Sequence, residues 1–235
     1  MSNEFIENLK EFNRKERYYV VAGATEGEFK LSEAFMKTLN EKLPINCKIT
    51  DRKGAFVALD FHLDWIYASL FLTANKGMEK QCYEMPEKIV EKGGLITASQ
   101  EDVDLIVAYP DLEDPQKSHL IMIEAKGDTS WNNGQATSKA KRLKTIFEYD
   151  GVKKANVSPH YIIWSPKEPS DKLDTSAFPQ WAKKDGKLCH IELKMPSNLK
   201  KVVRCNEQMK DDAAGKFWKI VNTSKSQTTS MEASE

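Results

Sequence analysis

No apolar run in this chain approaches the roughly 20 residues that a membrane-spanning helix requires. The longest, around Trp65 to Thr73, is short and contains Ser69. The opening Met-Ser-Asn-Glu-Phe lacks a basic stretch followed by an apolar one, so a secretory signal is not predicted, and cytoplasmic residence without a membrane partner is the expectation. Cysteine is sparse. Cys47, Cys82, Cys189 and Cys205 never form a Cys-x-x-Cys pair, which argues against a zinc site or a redox dithiol and for reduced, partly buried thiols. An excess of one charge is missing too: 35 Lys and Arg balance 35 Asp and Glu, so no global field draws the chain to nucleic acid. A Gly-rich phosphate loop, a Gly-x-Ser-x-Gly turn and a His-Glu-x-x-His pair are absent, which weakens the case for a small-molecule enzyme of another α/β class.

What is present is a globular composition. With 40% hydrophobic and 30% charged residues over 235 positions, the chain can bury a substantial core in one large domain. We expect a single domain over residues 1–221, with its core at about 55–165 and a helical extension over 1–45, and a Ser/Thr-rich disordered tail over 222–235. Phe5, Ile6, Leu9 and Phe12 share helical spacing. Tyr18 to Ala22 fits a strand or the close of a turn, and Glu26 to Leu43 carries a helical stripe ended by Pro44. A hairpin is expected around Asp51-Arg52-Lys53-Gly54, then a largely buried helix from Asp60 to Leu72. Met85 to Val90 reads as a helical turn and Leu95 to Ser99 as the first strand of a three-strand meander. Later elements are a helix over Gln135 to Tyr149, strands at Tyr161–Trp164, Leu188–Leu193 and Val202–Cys205, and a short helix at Ala213–Val221.

The densest information lies between Asp102 and Arg142. Two short, β-branched runs, Leu105 to Tyr109 and Leu120 to Ile123, read as paired buried strands, separated by a turn that holds Pro110 and Pro115. Residues two apart on a strand share a face, so Asp102 and Asp104 point one way, and Glu124 and Lys126 point one way. Charged groups beside a dry strand are costly to desolvate unless paired or bound to a cation, and that cost is the reason to look for chemistry here. The segment from Lys126 to Lys154 is net basic, which suits either a phosphate-facing patch or a solvated helix face.

Asp104 followed by Glu124-Ala125-Lys126, each at the end of an apolar strand, resembles the PD-(D/E)XK nuclease superfamily, whose founding members are restriction endonucleases. The resemblance spans roughly residues 55 to 165. The acid-x-lysine triplet recurs at Glu28, Asp51, Asp185 and Glu192, and only Glu192 also follows an apolar strand, though without an acid-bearing partner strand upstream. The resemblance implies an α/β (α+β mixed) fold: a central mixed sheet flanked by helices, a restriction-endonuclease-like core. It also implies Mg²⁺, with Mn²⁺ as substitute, held by Asp104, Glu124 and the carbonyl of Ala125, since Mg²⁺ takes carboxylates, carbonyls and waters. Lys126 would orient or deprotonate the attacking water. Members often add an acid from the preceding helix, matched best by Asp64, and a glutamine or lysine from the following one, matched by Gln135 and Lys139. Lys139, Arg142 and Lys144 are the expected nucleic-acid contacts.

The function so implied is metal-dependent hydrolysis of double-stranded DNA by a type II restriction-type endonuclease acting as a homodimer. Two alternatives stand beside it: a catalytically inactive nucleic-acid-binding or assembly protein of the same fold, and a repair or recombination exonuclease. The bland reading of the same residues is a surface hairpin with solvated charges.

Overall fold

A computed structural model describes residues 3–24, 29–76, 82–84, 94–99, 101–127, 133–169, 173–196 and 199–222. Its centre is a six-stranded mixed sheet. Strand β1 (Phe56–His62) pairs antiparallel with β2 (Asp102–Pro110), and β2 antiparallel with β3 (Ser118–Ala125). Next, β3 runs parallel to β4 (Val157–Ser165), β4 parallel to β6 (Lys187–Glu192), and β5 (Lys183–Lys184) closes the edge antiparallel to β6. A parallel pair needs a crossover, and here helix α5 (Asn133–Glu148) with a 3₁₀ segment, Asp150–Ala155, supplies it between β3 and β4. Asp185 and Gly186, both at positive φ, make the two-residue turn that joins β5 to β6.

Both faces of the sheet are covered, which is why the central strands read as continuous apolar runs. On one face Ala58, Ile106, Leu120, Met122 and Ile163 pack with α1 (Glu4–Phe12), α4 (Leu63–Ala74) and α5. On the other, Val57, Val107, Ile121, Ile123 and Ile162 pack beneath α3 (Glu33–Lys42), whose Leu39 is fully buried. Asn3 caps α1 by accepting from the Ile6 N–H, and Ser32 caps α3 by accepting from the Phe35 N–H. A separate two-stranded sheet pairs β7 (Lys200–Cys205) with β8 (Phe217–Asn222). The fold is the α+β class expected, a mixed sheet flanked by helices. No described helix is long and apolar enough to cross a membrane.

Several boundaries differ from the sequence reading. The meander opens with β1 and not with Leu95–Ser99, where the N–H groups of Thr97 and Ala98 donate to the Asp64 carboxylate in place of a strand neighbour, and Ala98 sits at φ 53°. Helix α4 starts at Leu63, because Phe61 and His62 are still paired with Val103 and Asp102; Asp60, at φ 48°, lies in β1 and does not cap the helix. Tyr18–Ala22 falls within helix α2 (Glu16–Ala24), and the helix read over 26–43 is described only as α3. Of the hairpin expected around 51–54 the turn is present at 52–54, where the Lys53 N–H donates to Asp51 Oδ1 at 2.9 Å, but its first arm is not a strand: a 3₁₀ turn at Ile45–Cys47 precedes it, and the Asn40 side chain bonds both the N–H and the carbonyl of Ile49. The short helix read at 213–221 is instead strand β8, which satisfies its backbone against β7. The helical turn at 85–90, most of the loop at 127–134 and the tail beyond 222 lie outside the described residues.

Candidate active site

The β2–β3 ladder runs from Pro110↔Ser118 to Leu105↔Ile123, so Asp104 and Glu124 sit one step past its last pair. There a side chain takes over from the backbone: the Ala125 N–H donates to Asp104 Oδ2 at 2.6 Å. One residue on, the Lys126 N–H donates to the Trp164 carbonyl of β4 at 3.0 Å. The acid-Ala-Lys segment is thereby held between two strands by its own main chain, on rigid elements of the kind that fix a site.

Glu124 is only 9% exposed. Its Oε2 lies 2.5 Å from Lys139 Nζ on α5, and the same ammonium donates to the Asp102 carbonyl at 2.6 Å. Burial pushes the Glu124 carboxyl above its ordinary value; Lys139 works against that, the Asp104 charge adds to it, and the net shift is upward. Burial, then the charges of Glu124 and Asp104, push the Tyr161 hydroxyl well up, so it stays protonated beneath them. Glu124, Lys126, Gln135, Lys139 and Tyr161 line one cleft of about 550 Å³. Asp104 does not line it. Its carboxylate reaches this group through the Ala125 peptide and through its field on Glu124.

Chemically, Asp104, Glu124 and the Ala125 carbonyl offer hard oxygen donors, the donor class that Mg²⁺ and Mn²⁺ take. The competing triplet has a different setting: Glu192 and Lys194 are exposed at the end of β6. Asp64, the fourth candidate donor, is ion-paired with Arg142 and also accepts from the Thr97 and Ala98 N–H groups at 3.2 and 3.0 Å. Arg142, expected as a nucleic-acid contact, is instead buried: it is 4% exposed, and its guanidinium is shared between Asp64 and Glu101, the latter at 3.3 Å. Seven residues are almost two full turns, so Arg142 stays on the side of α5 that carries Gln135 and Lys139; at Lys139 and Arg142 that side is turned inward, toward Glu124 and Asp64, and not to solvent. Lys139 also turns inward, toward Glu124, whereas Lys144 is exposed.

Sequence reasoning passed over a second cleft, of about 610 Å³, that shares Asp102 with the first and is lined by Arg14, Lys15, Arg17, His62 and Trp65. The Arg14 guanidinium stands 5.9 Å from the Trp65 ring centre, Lys15 lies 2.6 Å from Asp102, and Arg17 lies 3.1 Å from Asp60. The run Arg14-Lys15-Glu16-Arg17 was the available signal. His62 places Nδ1 2.8 Å from Asp102 Oδ1. No protein-family model, curated protein or solved structure matches this chain.

Proposed function

We propose that the chain is a Mg²⁺-dependent deoxyribonuclease that hydrolyses phosphodiester bonds in double-stranded DNA, a restriction-type endonuclease acting as a cytoplasmic homodimer. The observation that carries this is the placement of two acids, Asp104 and Glu124, at adjacent strand ends, with Lys126 on the same cleft wall as Glu124. Asp104, Glu124 and the Ala125 carbonyl would hold the ion, which when bound supplies charge neutralisation at phosphorus and a more acidic water. The chain's own groups do the rest. Lys126 orients the attacking water and offsets charge as it develops on the phosphate, and Gln135 faces the same cleft. The neighbouring basic cleft around Arg14, Lys15 and Arg17 offers cations to the flanking backbone.

One observation favours a second reading. Lys139 already neutralises Glu124, as a structural ion pair would in a nucleic-acid-binding protein that keeps the fold without its chemistry. Supercoiled plasmid separates the two. Nicking or linearisation with Mg²⁺ that is lost in EDTA and in Glu124→Gln and Lys126→Ala, each still folded, supports hydrolysis. DNA binding without strand breaks under Mg²⁺ or Mn²⁺ overturns it in favour of the binding protein.

A further inference from the structure

At the far end of β3, on the opposite face of the sheet from Glu124, three ligand-bearing side chains meet. Cys47 closes the 3₁₀ turn after α3, His119 is the second residue of β3 and His160 the fourth of β4. Their spacing in sequence gives no metal motif; the parallel pairing of β3 with β4 and the docking of the 47 segment bring them together. His119 Nδ1 lies 3.3 Å from His160 Nε2, and one ring nitrogen of each histidine and Cys47 Sγ all fall within 4.8 Å of one another. Among the described residues this is the one group of three such ligands that converges. Neither cleft described above reaches it.

We propose that Cys47, His119 and His160 form a zinc site, supplying three of the ion's four positions. Three lines support it. First, Zn–N bonds of about 2.0–2.1 Å at a tetrahedral angle put two imidazole nitrogens about 3.3–3.4 Å apart, and the two histidines already stand at that separation. Second, the tautomer is set. His119 Nε2 is 2.8 Å from Asp111 Oδ2, and Asp111 is itself anchored by Lys117 at 3.0 Å and by the N–H groups of Glu113 and Asp114. An ionised acceptor there keeps the proton on Nε2 and leaves the Nδ1 lone pair facing the cluster, the carboxylate–histidine–metal arrangement. Third, the frame is rigid and dry: His119 is 1% exposed, its ring stacks on Tyr109 at 5.1 Å, and the Tyr109 hydroxyl donates to the Cys47 carbonyl.

The donor set selects the ion. One thiolate and two neutral imidazoles suit Zn²⁺ and do not suit Mg²⁺. Binding releases one proton, from the Cys47 thiol to solvent, as the S–Zn bond forms; His160 moves its ring proton to Nδ1 so that Nε2 can ligate. A nucleophilic cysteine is the competing use of the same residues, but Cys47, 7% exposed, has no substrate path in either cleft. The site lies five residues along β3 from Glu124, roughly 17 Å on an extended strand, so it serves the sheet and not the acid cleft.

The test uses the full chain, reduced, stripped with a chelator and titrated with Zn²⁺ and separately with Co²⁺. One equivalent of Zn²⁺ should bind, and Co²⁺ should give a thiolate-to-metal charge-transfer band in the near ultraviolet with the intense visible bands of a tetrahedral ion. Asp111→Asn should weaken Zn²⁺ by about 10- to 100-fold, Cys47→Ser by more and with loss of the charge-transfer band, and Glu124→Gln should leave Zn²⁺ affinity unchanged. The cobalt spectrum of the unaltered protein needs no variant to fold. Stoichiometry far below one, cobalt bound without a thiolate band, or Cys47→Ser binding zinc as tightly as the parent would each overturn the site, whatever the plasmid assay shows.

Discussion

Lys139 on α5 spans to Glu124 on β3 at 2.5 Å and to the Asp102 carbonyl on β2 at 2.6 Å, so one ammonium ties the crossover helix to both acid-bearing strands. A carboxylate taken this far from water is expensive to keep ionised, and the ammonium is what offsets the cost. The same pairing poises the acid. Glu124 stays above its ordinary value in the absence of metal, and a divalent cation would act on it in the same direction as Lys139.

Lys139→Met is therefore expected to raise the Glu124 carboxyl further, since the strongest opposing influence is removed. Mg²⁺ binds the ionised form, so the acid limb of the pH profile for Mg²⁺ affinity and for cleavage should move to higher pH. The metal-free parent should show the linked effect. Its folded state holds the Glu124 proton more tightly than the unfolded chain, so Glu124 contributes a loss of stability as pH rises from the unfolded value through the folded one, and Mg²⁺ should restore it. Thermal melts against pH in EDTA and in Mg²⁺ read the second effect. A limb that stays put or moves to lower pH in Lys139→Met contradicts the first.

Arg142→Met should cost stability and not DNA affinity. Breaking a buried pair costs about 3–5 kcal/mol; Asp64 keeps two backbone donors, so about 2–4 kcal/mol is expected here. For a chain of this length each kcal/mol lowers Tm by about 2–4 °C, giving a fall of roughly 4–16 °C. A variant with unchanged Tm and weakened DNA binding would return Arg142 to the surface role its charge suggested.

The strand pair carrying Asp104 and Glu124 was legible because its apolar runs are short, β-branched and bounded by prolines, and helix α5 because its apolar period is regular. What failed has physical causes. Leu95 is fully buried like a strand residue, yet a side chain, Asp64, supplies its neighbours' acceptors, and periodicity does not register side-chain acceptors. Arg142 carries the charge of a surface residue while its partners, Asp64 and Glu101, are 78 and 41 positions away in sequence. The Cys47, His119 and His160 cluster was missed for the same reason: the absence of Cys-x-x-Cys excluded local zinc motifs, and these ligands are assembled from three separate segments by the sheet.

Neutralising the second cleft tests where the phosphate backbone lies. Arg14→Gln combined with Arg17→Gln removes two cations that stand over Trp65 and beside Asp60. If both meet phosphates, the slope of log affinity against log salt should become shallower by about 1.8, at about 0.9 per contact. Anisotropy titrations of a labelled duplex with Ca²⁺ in place of Mg²⁺, over a salt series, measure this. An unchanged slope places the duplex elsewhere.

Asp104 can be probed for two separate contributions, its hydrogen bond and its charge. Its Oδ2 accepts the Ala125 N–H at 2.6 Å, so Asp104→Asn can keep an acceptor there while Asp104→Ala cannot. An unpartnered donor at a half-buried position costs about 1–3 kcal/mol, so the alanine variant should melt roughly 2–12 °C below the asparagine variant. The charge is lost in both. Without the Asp104 anion, the Glu124 carboxyl should fall toward its ordinary value, opposite to the Lys139→Met shift. In Asp104→Asn residual Mg²⁺ binding should therefore weaken while its acid limb moves to lower pH. If both Asp104 variants melt together and the limb does not move, the two acids do not act as a pair, and the oxygen-donor site loses its basis.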